Sequence, residues 1–115
     1  MNIRERYNKM KQFNWDYSGY SDILHIHKKN QLTKGSVELG DFTLDFGSDN
    51  EIVGIEVEHA SEFFGNLDID KSALSKLENA QFVIDNRNPQ CQLIFLNLQF
   101  AGVVKKIPVP MPVVS

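Results

Sequence analysis

From Phe13 onward the chain places apolar residues at every second position, in short runs separated by Gly, Asn, Asp and Ser. A period of two is the spacing of a strand with one covered face, because successive side chains leave a strand on opposite sides. Phe13-Asn14-Trp15-Asp16-Tyr17 alternates in this way and is broken by Ser18-Gly19-Tyr20-Ser21. In the next run Leu24 and Ile26 point one way, while Ile23, His25 and His27 point the other. Between Ser36 and Phe46 the apolar phase slips from Val37 and Leu39 to Phe42, Leu44 and Phe46, so Gly40-Asp41 at the break marks a bulge or a tight turn. Gly47-Ser48-Asp49-Asn50 closes a hairpin. The returning strand puts Val53, Ile55 and Val57 inward and Glu56 and Glu58 outward.

After Glu58 the spacing lengthens. Ala60, Phe63, Phe64 and Leu67 lie on one side of a short helix that Gly65-Asn66 can end. A second helical stretch has Asp68 or Asp70 as N-cap, Ala73, Leu74 and Leu77 as its apolar stripe, and Asn79 near its stop. Strand character then returns in Phe82-Val83-Ile84-Asp85 and, after a turn over residues 86–90, in residues 92–100. There Ile94, Leu96, Leu98 and Phe100 share one face, and Leu93 and Phe95 make the other face partly apolar, as in a strand that is central or covered on both sides. Beyond Gly102 the tail alternates Pro108, Pro110 and Pro112 with Val109, Met111 and Val113. Proline removes ladder donors, which restricts this tail to a sheet edge or an extended docked arm. The pattern therefore predicts an α+β fold: an antiparallel sheet of hairpins with one or two short helices packed on one face. It expects about four N-terminal and two or three C-terminal strands.

A chain of 115 residues supports one hydrophobic core, so residues 13–115 read as a single domain behind a basic arm over residues 1–12. That arm carries Arg4, Arg6, Lys9 and Lys11 against Glu5. The whole chain has a net charge of −3, which argues against polyanion binding as its main task. No apolar run approaches the length of a bilayer span, and none follows the basic start as a secretory leader requires, so the expected location is the cytoplasm. The single cysteine, Cys91, has no partner for an intrachain disulfide.

Several of these segments together resemble a known family. They are Trp15-Asp16, Asp22-Ile23-Leu24-His25-Ile26, Phe42-Thr43-Leu44-Asp45-Phe46, Ile52-Val53-Gly54-Ile55-Glu56-Val57 and Ala60-Ser61. In this order they resemble the uncharacterised DUF (domain of unknown function) family catalogued as number 2283. Its pattern is roughly Y-D, D-x-L-Y-I, then L-D-[YF]-D-x-D-G-x-[IV]-V-G-I-E-[IV]-x-x-A-S, and the resemblance covers residues 13–64. His25 stands where a Tyr is usual, Gly47 where an Asp is usual, and Asn50 where a Gly closes the loop. The family has no established catalytic residues. The resemblance implies a small interaction module, because some members occur in settings resembling toxin and antitoxin pairs.

The chain contains no Gly-rich phosphate loop, no Cys pair at zinc spacing, no H-E-x-x-H and no nucleophile elbow. Its best scattered constellation is His25-x-His27, because strand spacing puts both imidazoles on one face where they can share a metal ion. Thr43, Asp45, Glu56 and Glu58 fall on that polar face by the same parity. Solvated polar surface with cross-strand pairs is the simpler account of these residues and the one preferred over a metal site. His59, where strand passes into helix, is assigned a local backbone hydrogen bond. Val109, Met111 and Val113 share one side of the extended tail and form the candidate partner-binding stripe, in cis or in a homodimer. The leading functional reading is a non-catalytic protein-interaction module, antitoxin-like in the family's terms, with no cofactor. The alternative is a metal-binding protein or metal-dependent enzyme using the His/carboxylate patch.

Overall fold

A computed structural model describes residues 12–88 and 91–110. Most of the basic arm, and Met111 and Val113 of the tail, lie outside the described residues. The elements run β1 (Phe13–Ser18), β2 (Ile23–Lys28), β3 (Gly35–Leu39), β4 (Phe42–Phe46), β5 (Ile52–Val57), α1 (Ala60–Gly65), α2 (Lys71–Ser75), β6 (Asn79–Asn88), β7 (Cys91–Phe100) and β8 (Val103–Pro108). The strands form two antiparallel sheets, one ordered β1-β2-β5-β4-β3 and one ordered β6-β7-β8.

The larger sheet has one strand more than the sequence pattern expects. Gly40 takes φ +62°, a left-handed conformation that costs glycine little. It makes a tight turn, after which Leu39 pairs with Phe42 and Val37 with Leu44. The slip in apolar phase is thus a chain reversal between β3 and β4. The expected inward set of β5 also needs correction. Asp45 pairs with Gly54 but Phe46 pairs with Ile52, which leaves Val53 as the extra residue of a bulge. Ile52 consequently joins the core cluster, whereas Val53 is fully buried but stands outside that cluster.

Leu24, Ile26, Leu44, Ile55 and Val57 of the first sheet pack with Phe82, Ile94, Leu96, Leu98 and Ile107 of the second. The rings of Phe13 and Phe82 meet edge to face across the two sheets, with centroids 4.9 Å apart. Phe64 of α1 and Leu74 of α2 complete this core.

Asp70 caps α2 by accepting the Ala73 N–H at 2.8 Å. The helix stops before Asn79, because that residue begins β6 and pairs with Gln99. β6 likewise runs further than its apolar stretch, as far as Asn88 paired with Cys91. Ala101 and Gly102, both at positive φ, then turn the chain into β8, an edge strand that ends at Pro108. Among the described residues no helix is long and apolar enough to cross a membrane.

Candidate functional site

Strand register arranges the polar face of the five-stranded sheet into two rows. Asn14, His27, Gly54, Asp45 and Ser36 stand side by side in one. Asp16, His25, Glu56, Thr43 and Glu38 form the other. His25 and His27 therefore share a face, as their spacing predicts, with ring centroids 5.8 Å apart. Glu58 does not join them, because β5 ends at Val57.

His25 Nε2 lies 3.4 Å from Asp45 Oδ2, and Ser36 donates its hydroxyl to Asp45 Oδ1 at 2.7 Å. The carboxylate thus stands between hydroxyl and imidazole, so His25 is paired with Asp45 and not with the serine, unlike the nucleophile–imidazole pair of a hydrolase. The two nitrogens of His27 face different partners: Nδ1 lies 2.8 Å from the Lys28 carbonyl and Nε2 lies 2.9 Å from Thr33 Oγ1. A carbonyl only accepts, so Nδ1 carries the proton and, in the neutral ring, Nε2 accepts from the Thr33 hydroxyl.

Gly54 makes this arrangement sterically feasible. A Cβ there would lie 2.6 Å from both Asp45 Oδ2 and His27 Cδ2. The close approach at Gly54 comes from these two polar side chains, which lean across the bare backbone from either side.

Asp22 organises a second cluster, at the edge of the sheet. Its Oδ2 accepts the Ser61 hydroxyl at 2.6 Å, and its Oδ1 accepts the Ser61 N–H at 3.0 Å and the Tyr17 hydroxyl at 2.7 Å. Its main-chain carbonyl accepts the Ala60 N–H at 3.0 Å. Asp22 therefore caps α1 from far along the chain, in place of His59, which occupies the N-cap position without a side-chain cap. Partial burial alone would raise the Asp22 carboxyl, but the Ser61 and Tyr17 hydroxyls and the Ser61 amide outweigh it, with Lys71 assisting. Together they hold it below the usual carboxylate value. Burial, reinforced by the hydrogen bond to Asp22 and its charge, pushes Tyr17 up to about 12.

His59 bonds to a side chain and not to the backbone: its Nδ1 lies 3.1 Å from Asp41 Oδ1. That hydrogen bond and the Asp41 charge raise the imidazole above its ordinary value. Ligand atoms of Asp41, Glu58 and His59 lie within 4.8 Å of one another, and all three residues are exposed. Among the described residues this trio, and not His25 with His27, brings at least three metal-ligating atoms that close together.

On the three-stranded sheet, Val83, Phe95 and Pro108 form a cross-strand row on the face turned away from the core. Leu93 is on the same face, 47% exposed, and Val83 is 41% exposed. Lys106 Nζ lies 4.3 Å above the Phe95 ring. Val109, by contrast, is buried in the chain's own core, and its N–H donates to the Ile94 carbonyl at 2.9 Å.

Sequence reasoning passed over Ser36, Thr33, Tyr17 and Ser61 as members of these clusters. Hairpin parity across Gly40 was the signal that could have placed Ser36 beside Asp45. Thr33 belongs to a loop and Ser61 is remote from Asp22, so neither has a local signature.

No solved structure matches this chain. An uncharacterized protein of Methanocaldococcus jannaschii is 34% identical over 61 residues, which are 53% of this chain and 50% of that relative. The family model that matches is described as a protein of unknown function, and its match runs from β1 to the Ser61 that ties α1 to Asp22. Over residues 15–61, the five-stranded sheet and the start of α1, this chain carries the pattern of the DUF2283 family.

Proposed function

We propose that this chain is a cytoplasmic protein-interaction module that presents the outer face of its three-stranded sheet to a partner protein. The observation that carries the reading is the uncovered apolar row of Val83, Phe95 and Pro108 beside Leu93. Its surroundings are polar: Gln81 and Asn97 in the adjacent row, Lys106 over Phe95, and the Asp85–Arg87 pair next to Leu93. An apolar centre with a polar rim is the anatomy of a protein interface. In the antitoxin-like form of this reading the partner is a small toxin.

The test compares wild type with a Leu93→Lys/Val83→Lys double variant as baits in the native host. Circular dichroism of both checks the fold, and light scattering reports self-association. The expected result is one stoichiometric partner, or a dimer, that the wild type holds and the variant loses. Equal recovery by both proteins, or a wild type that is monomeric and partnerless, refutes the proposal.

A second reading, metal binding, draws support from the converging donor atoms of Asp41, Glu58 and His59 and from the His25–Asp45 contact. Unchanged melting on adding zinc, nickel or manganese would remove it.

A further inference from the structure

The two sheets are held apart differently at their two ends. Where β2 and β4 begin and β5 ends, α1 closes the gap: Phe63 packs edge to face on Phe42, and the Ala60 N–H bonds the Asp22 carbonyl. At the opposite end, where β2 and β4 finish and β5 starts, the sheets leave a cleft of about 400 Å³. Phe46 and Ile52 line it from the larger sheet, and Phe82 and Ile84 from β6. A volume of this size is in the range of small-molecule sites, and its wall mixes these four apolar side chains with the polar Lys28, Asn50, Glu51, Asn86 and Gln92.

The mouth carries one charge of each sign, held differently. Glu51 belongs to the lining, and its Oε2 accepts the Asp49 N–H at 2.9 Å, which fixes that oxygen on its own loop. Lys28 also lines the cleft, and its Nζ lies 5.8 Å from the Phe82 ring centroid. The ion pairs among the described residues join His25 to Asp45, His59 to Asp41 and Arg87 to Asp85, so among those residues the Lys28 ammonium has no carboxylate partner. Asn86 and Gln92 add neutral hydrogen-bonding groups on the other wall.

We infer that this cleft binds a small amphipathic anion, an aryl or alkyl group carrying a carboxylate. The apolar body enters between Phe46, Ile52, Phe82 and Ile84, and the carboxylate meets Lys28. Burial of the body and the ion pair both contribute to binding, and the ion pair selects anions over neutral analogues of the same shape. The site is separate from the outer face of the three-stranded sheet.

The experiment is a titration of the full chain, 15N-labelled, with 4-phenylbutyrate and, separately, with 4-phenyl-1-butanol, followed by amide shifts. The expected result is saturable shifts at Ile52, Ile84 and Asn86, with the carboxylate binding about fivefold tighter than the alcohol, the factor one partly screened charge pair provides. Lys28→Met is expected to abolish that preference and Lys28→Arg to keep it, while both spectra remain those of the native fold. Equal affinities for the two compounds in wild type would overturn the inference. So would a preference that survives in Lys28→Met, shifts confined to Leu93 and its neighbours, or no saturable shift at all.

Discussion

Asp22 is the residue whose loss the structure singles out most sharply. In Asp22→Ala the cap on α1 disappears, at about 1 kcal/mol, and the Tyr17 hydroxyl loses its acceptor, at about 1 kcal/mol more. Asp22 also has φ +58°, and an alanine held left-handed, without a polar side chain to bond locally, costs roughly another 1 kcal/mol. The Ser61 hydroxyl, left unpaired, brings the total to about 3–4 kcal/mol. Asp22→Asn preserves the tolerance for positive φ and one acceptor oxygen, and its amide can donate to Ser61 Oγ, so its cost is expected to stay below about 1.5 kcal/mol. Urea denaturation at neutral pH measures both. The pH dependence provides an independent check. Asp22 is held below its unfolded value, so its contribution is complete above that value, near pH 4, and is lost as pH falls through the depressed value. In Asp22→Asn that part of the acid sensitivity vanishes. Tyr17, which ionises near 12, moves back toward 10 in the same variant, as ultraviolet titration would record. An alanine variant within about 1 kcal/mol of wild type, or an asparagine variant as damaged as the alanine one, would refute the capping argument.

Gly54→Val places a Cβ against Asp45 and His27, so His27 must release Thr33 and the Lys28 carbonyl. The expected loss is about 1–3 kcal/mol by denaturation, and a melting temperature equal to wild type would show that the polar face tolerates the side chain. Truncation after Lys106 removes the buried Ile107 and Val109, each contributing about 1.5–3 kcal/mol before ordering costs. It is expected to lower the melting temperature markedly, and an unchanged one would mean that the end of β8 adds nothing to the core.

The alternation of apolar and polar residues was enough to place Leu24, Ile26, Ile55 and Val57 on one face and His25, His27 and Asp45 on the other. A strand has only two faces, so local spacing decides which side chains share one. Turn chemistry was equally legible: Asn50, at φ +60°, closes its hairpin in the left-handed conformation that its short polar side chain tolerates. Sequence alone stopped where a choice depended on elements remote along the chain. The Val53 bulge is a matter of register between β4 and β5, which no residue of either strand announces. The capping of α1 by Asp22 needs two segments 39 residues apart to be brought together by burial of Leu24, Ala60 and Phe64. Leu93 and Phe95 read as a second, partly apolar face of their strand. Whether that face would be covered or open was settled by where the helices pack, which the summed burial of the whole core determines.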